Sequence, residues 1–180
     1  MMPPMTLGVV LAGGQSTRFG SDKALAEYQG HTLLANAVDL LSGWCEHVIV
    51  AGREQAPAPT VPDHPREGMG PLGGVLAGLR HAADEGYAGV LTMGVDTLHL
   101  PADLPALLGP APAFLATQPV VGHWRPDDAL LLEEILAGEG SHAMMAFAEA
   151  CGARAVALPT SPANINTPAD LSTLEQRGGG

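Results

Sequence analysis

Cysteine, aromatic side chains and positive charge are all scarce in this chain, and it has no long uninterrupted apolar run. There are two cysteines, Cys45 and Cys151. That is too few for a disulfide framework, and neither has metal-ligand spacing, so reduced, buried thiols are expected. Aromatic residues make up 4% of the chain, which leaves a core built of Ala, Leu and Val. Eight Lys and Arg stand against nineteen Asp and Glu, for a net charge of −11. A surface this acidic does not neutralise nucleic-acid phosphates, so no nucleic-acid partner is expected. The fairly apolar stretch 104–124 is broken by Pro105, Pro110, Pro112 and Pro119, and no membrane span is expected. Met1-Met2-Pro3-Pro4-Met5 lacks the charged n-region of a secretory signal. The expectation is a soluble cytoplasmic protein, a monomer or weak homo-oligomer.

The content that is present fits a folded enzyme-sized unit. At 180 residues, 46% hydrophobic and 15% charged, the chain is long enough for one sizeable core. A single domain over residues 1–180 is expected, with its core in 5–175 and a disordered tail at 176–180. Scarcity of cations makes each one more informative. A protein this acidic that binds a polyphosphate must concentrate positive charge locally or borrow a divalent metal.

One segment does concentrate it. An apolar run (Leu7, Val9, Val10, Leu11) empties into Ala12-Gly13-Gly14-Gln15-Ser16-Thr17-Arg18-Phe19-Gly20-Ser21-Asp22-Lys23. Gly13, Gly14 and Gly20 let main-chain N–H groups approach phosphate oxygens without a Cβ in the way. Arg18 adds a planar fork and Lys23 a point charge. The loop is not a Walker A motif, since Gly20 is followed by Ser21-Asp22, and its spacing fails the dinucleotide-binding fingerprint.

Strand and helix patterns alternate along the chain. Thr6–Leu11, Glu46–Ala51, Ala88–Met93, Ala113–Thr117 and Ala153–Leu158 read as strands. His31–Leu41, Pro71–Ala83, Pro101–Leu108, Asp127–Ala137 and Ser141–Ala150 read as helices. Thr167–Gln176 reads as a closing helix, with Thr167-Pro168-Ala169-Asp170 as its capping box. The proline-rich stretches Gln55–Arg66 and Gly109–Arg125 read as loops. Such alternation predicts an α/β fold, a three-layer sandwich around a mostly parallel sheet. Ligands of these sheets sit beyond the carboxyl ends of the strands. The glycine loop and Asp96 both fall at such ends.

Asp96 opens a turn after a buried strand. A carboxylate there suits Mg²⁺, a hard cation that favours oxygen ligands and substrate phosphates; the alternative is an ordinary turn aspartate. Gly70-Pro71-Leu72-Gly73-Gly74 is a glycine-flanked helix start. It serves either close approach to a ligand through free N–H groups or tight packing on the sheet. Asn164 and Asn166 share a face if their segment is extended. They can then orient a phosphate or a metal-bound water, or simply form a turn. His31, His47, His64, His81 and His99 show no metal-ligand spacing and read as surface or capping residues. No Ser/His/Asp or Cys/His arrangement stands out.

The glycine loop resembles the signature of nucleotidyltransferases that move NMP from an NTP onto a phosphorylated acceptor. Leu11 to Leu25 is most similar to the molybdenum cofactor guanylyltransferases, the MobA family. The resemblance extends to about Leu171 and implies a Rossmann-like nucleotidyltransferase fold. It implies GTP, molybdopterin or molybdenum cofactor, and Mg²⁺ as partners. Leu11, Ala12, Gly13, Gly14, Lys23, Asp63, Gly70, Pro71, Leu72 and Asp96 then hold the nucleotide. Arg18, Lys23 and Asp96 are catalytic, with Asp96 on the metal. Asn164, Asn166 and Trp124 lie on the acceptor side, Trp124 either stacking on a pterin or filling the core.

The chain also departs from the pattern. Thr17, Ser141-His142 and Asp96-Thr97-Leu98 replace residues that are often basic, or an Asp-x-Pro, in relatives. These leave the acceptor open. A CTP or sugar-phosphate nucleotidyltransferase, or a nucleotide-binding paralogue without turnover, stays as the alternative. The Gly13-Gly14 pair resembles the GTP-using branch, since a glycine leaves room for a purine.

Overall fold

Alternation along the central strands explains why helices cover both faces of one sheet. In the computed structural model, residues 5–13, 23–66, 70–98, 100–158 and 163–164 are described. The elements are, in chain order, β1 (Thr6–Leu11), a 3-10 turn at Lys23–Leu25, β2 (Glu27–Tyr28), β3 (His31–Thr32) and α1 (Leu33–Ser42). Next come β4 (His47–Ala51), β5 (Thr60–Val61), α2 (Pro71–Glu85), β6 (Gly89–Gly94), β7 (Thr97–Leu98) and α3 (Leu104–Leu108). The remainder are β8 (Ala113–Leu115), β9 (Gln118–Trp124), a 3-10 turn at Pro126–Asp128, α4 (Ala129–Ala137), α5 (Met144–Ala150), β10 (Arg154–Val156) and β11 (Ala163–Asn164). The main sheet has seven strands in the order β10-β8-β9-β6-β1-β4-β5. β1 runs parallel to both β4 and β6, and β4 runs parallel to β5. β9 is antiparallel to β6 and β8.

Successive residues of β1 point to opposite faces. Val10 joins a cluster with Leu33, Leu34, Leu41, Leu104 and Leu108, the apolar sides of α1 and α3. Leu7 and Val9 join Leu72, Leu76, Leu79, Leu132 and Phe147 from α2, α4 and α5. β4 divides likewise, Val48 and Val50 to one side, Ile49 and Ala51 to the other. A sheet between two helical layers is the three-layer α/β sandwich expected.

Local signals set the helix ends. The Thr32 hydroxyl accepts from the Ala35 N–H at 3.0 Å and caps α1. α2 begins with Pro71 after Gly70, whose φ of 72° favours glycine, and ends at the left-handed Gly86. α4 is preceded by the 3-10 turn at Pro126–Asp128, so the helix starts later than Asp127. α5 starts at Met144, after the Ser141 hydroxyl has accepted from the Ala143 N–H at 3.2 Å.

The larger correction lies in Gly109–Arg125, read from its prolines as a loop around a strand at Ala113–Thr117. β8 (Ala113–Leu115) falls within that expected strand, whereas the whole of β9 was not expected. β9 pairs with β6 through Gly122, His123 and Trp124. Pro119 lies before that paired stretch, where its missing N–H costs no ladder bond with β6. Gln55–Arg66 likewise contains the short β5. The helix expected at Thr167–Gln176 and the tail at 176–180 lie outside the described residues. Among the described residues, no helix is long and apolar enough to cross a membrane.

Candidate functional site

The carboxyl ends of β1, β4 and β6 are level. Leu11 stands opposite Ala51 on one side and Gly94 on the other. The chain leaving β1 keeps contact with β4, the Ala12 N–H donating to the Ala51 carbonyl at 3.0 Å. Gly13 and Gly52 then touch backbone to backbone. A methyl carbon added at Gly52 would lie 2.6 Å from the Gly13 Cα, and the Gly52 φ is +88°. Glycine is required there by space and by backbone conformation together. The Asp63 carboxylate borders this contact. Its Oδ2 lies 3.2 Å from where a Gly13 Cβ would sit, and its Oδ1 lies 3.1 Å from the corresponding point on Gly52. Asp63 thus sits in the angle between the loop after β1 and the end of β4.

α2 forms the third side. Gly70 and Pro71 are exposed, while the Leu72 side chain is fully buried. Its glycines pack on the sheet. A methyl at Gly74 would lie 2.8 Å from Leu11 Cδ2, and one at Gly78 would lie 2.7 Å from Val9 Cγ2. Close packing is therefore a structural role of this motif, and the exposed N-terminus of α2 still faces the Asp63 loop. The His64 N–H donates to the Gly73 carbonyl at 3.1 Å. The His64 ring meets the Arg80 guanidinium, which also pairs with Glu133 of α4.

Asp96 stands on the other side of β1, in the turn after β6, and is half-buried. Its Oδ1 lies 2.9 Å from where a Gly94 Cβ would sit, so glycine at 94 admits the carboxylate. The next residue, Thr97, is buried and donates its hydroxyl to Gln118 Oε1. β7 pairs antiparallel with β11, Asn164 opposite Thr97. The backbone thereby brings the Asn164 segment beside the Asp96 turn, although the two are far apart in sequence. Asn166, Gly14 and Arg18 lie outside the described residues, and Lys23 opens the 3-10 turn at Lys23–Leu25.

Trp124 does not belong with these groups. It has 0% exposure and packs between Phe114 and Phe147, with ring centroids at 6.4 and 5.2 Å. Its indole N–H donates to Thr92 Oγ1 at 2.9 Å, and Thr92 in turn donates to the Val120 carbonyl at 2.7 Å. A ring enclosed on both faces cannot stack on a pterin, so the acceptor-side reading of Trp124 is replaced by the core reading.

Several charged or reactive groups are occupied elsewhere. Arg125 pairs with Asp128, and Arg154 donates to the carbonyls of Leu108 and Pro110. Cys45 and Cys151 are both free thiols, the first buried as expected and the second only half-buried. Burial, reinforced by Glu46, pushes the Cys45 thiol up to about 12, so it is no nucleophile at neutral pH. Among the described residues, no group of three or more His, Cys, Asp and Glu side chains is placed to hold a metal. Two site features escape the sequence reading. Gly52 gives a signal, a glycine directly after an apolar strand, and His64 gives none.

The family model described as MobA-like NTP transferase domain matches residues 8–150. The molybdenum cofactor guanylyltransferase of Acidiphilium cryptum (strain JF-5) is 40% identical over 182 residues, covering 93% of this chain and 92% of that one. The molybdenum cofactor guanylyltransferase of Rhodobacter capsulatus is 34% identical over 184 residues, covering 94% and 95%. In structure, the chain is similar to molybdopterin-guanine dinucleotide biosynthesis protein A from Archaeoglobus fulgidus. The TM-score is 0.74 at 19% identity, over 96% of this chain and 98% of that one, which establishes a shared fold.

Proposed function

This chain belongs to the MobA-like NTP transferase family, and we propose that it transfers GMP from GTP to the terminal phosphate of molybdopterin or molybdenum cofactor, releasing pyrophosphate. The observation that carries the reading is the Asp63 carboxylate lodged against Gly13 and Gly52, with Asp96 in the turn on the far side of β1. The two acids flank the strand end from which the glycine loop departs.

An acceptor phosphate oxygen attacks the α-phosphorus of GTP. A P–O bond forms there as the bond to the β-phosphate oxygen breaks. A phosphate monoester has its second pKa near about 6, so the acceptor is mostly dianionic at neutral pH and needs no general base. Catalysis then consists of positioning and charge neutralisation. Asp63 receives the N–H donors of the guanine base. The N–H groups of Gly13 and Gly14, with Arg18 and Lys23, stabilise the leaving pyrophosphate. Leu11 and Ala12 form the floor, and Gly70, Pro71 and the Leu72 backbone form the wall at the start of α2. Asp96 would hold Mg²⁺, which when bound would neutralise charge on the phosphates. Asn164 and Asn166 are assigned to the acceptor. One nucleotidyltransferase domain performs the whole reaction in the cytoplasm, as a monomer or weak homo-oligomer, without a nucleic acid or membrane partner.

Calorimetry with GTP, CTP, ATP and UTP in the presence of Mg²⁺ tests the nucleotide half of this reading. GTP is expected to bind selectively, and Asp63→Ala to weaken it. A preference for CTP would instead make the chain a cytidylyltransferase.

A further inference from the structure

Asp63 lies on the loop between β5 and α2, and its carboxylate acts only if that loop holds it over Gly13. The neighbouring residue is fastened to α2 at two points. The His64 N–H donates to the Gly73 carbonyl at 3.1 Å. The His64 Nε2 lies 2.8 Å from Arg80 Nη1, about two turns further along α2 than Gly73. A guanidinium has donors and no acceptor, so Nε2 is the acceptor and the ring proton sits on Nδ1. Arg80 is anchored in turn by Glu133 of α4. The chain of contacts therefore runs from Glu133 of α4 through Arg80 of α2 to the residue beside Asp63. Gly74 belongs to the same corner: its absent Cβ would lie 3.5 Å from Asp63 Oδ1.

We infer that His64 is a positioning residue: pinned by Arg80 and Glu133, it holds Asp63 in place for the nucleotide base. The inference rests on the reading of Asp63 as a nucleotide-binding residue. The base lies away from the reacting phosphorus, so loosening Asp63 weakens ground state and transition state alike. It raises KM for GTP with little change in kcat.

The test is steady-state guanylyl transfer by His64→Ala, His64→Gln, Arg80→Ala and the His64→Ala/Arg80→Ala double variant, with Asp63→Ala as reference and thermal melts of each. His64→Ala is expected to raise KM for GTP about threefold to tenfold, the range of one partly exposed hydrogen bond, at near wild-type kcat. His64→Gln retains an acceptor for Arg80 and restores KM. The double variant is no worse than either single one, because both remove the same contact. Should His64→Ala fail to fold, Arg80→Ala carries the same expectation with the His64 backbone bond intact. An unchanged KM in His64→Ala and Arg80→Ala, beside a raised KM in Asp63→Ala, overturns the positioning role alone. A KM unchanged by Asp63→Ala overturns the reading beneath it as well.

Discussion

The carboxyl edge of β1 and β4 and the β9 region of the same sheet both depend on glycine, for opposite purposes. At Gly13 and Gly52 the missing side chains let two backbones meet beside a carboxylate, and Gly13 stays exposed. At Gly122 the missing side chain makes room for a neighbour, since a methyl there would lie 2.5 Å from Trp124 Cζ2. The first arrangement lies at the carboxyl edge of the sheet, where the Asp63 carboxylate borders the contact. The second closes a core over an aromatic ring whose N–H is already satisfied by Thr92. α2 shows that one motif can do both, with Gly74 and Gly78 pressed on the sheet and Gly70 exposed at its start.

Three experiments sharpen this contrast, from the largest effect to the smallest. Trp124→Ala empties a fully buried site and is expected to lower stability by about 3–5 kcal/mol, read in urea unfolding, while the folded fraction keeps its GTP affinity. Weakened GTP affinity in a folded Trp124→Ala protein would return that residue to the site. Asp96→Asn and Lys23→Ala are expected to lower turnover by about two to three decades with melting temperatures near wild type. Near wild-type turnover in either would remove its assigned role. Gly78→Ala forces a methyl against Val9 and is expected to cost about 1–3 kcal/mol of stability without changing KM for GTP. Gly52→Ala, strained at positive φ, is expected to raise that KM as well, and equal behaviour of the two variants would erase the distinction.

Long apolar runs bounded by turn residues were readable from the sequence for a physical reason. β1 spans Thr6–Leu11 as its hydrophobicity dictates, and Pro71 marks the start of α2 because proline suits a first turn. β9 was hidden because proline counts against a strand locally, whereas the cost depends on which neighbour needs the N–H. β2 and β3 are too short to show a period. In the site, the glycine loop and Asp96 follow buried strands and are visible for that reason. The Gly13–Gly52–Asp63 contact joins segments far apart in sequence, and the parallel register of β1 and β4 creates it. The pairing of Asn164 with Thr97 is of the same kind. Trp124 shows the converse, since an aromatic residue near a resemblance to a binding segment is placed by burial.

The most direct test is turnover. The purified protein is mixed with Mg²⁺, GTP labelled at the α-phosphate and molybdopterin, and the label is followed into product. Label is expected in a molybdopterin guanine dinucleotide, with one pyrophosphate released for each and loss of product in Asp96→Asn. Selective GTP binding with no labelled dinucleotide, when molybdopterin is present and the protein is folded, would contradict the proposed transfer.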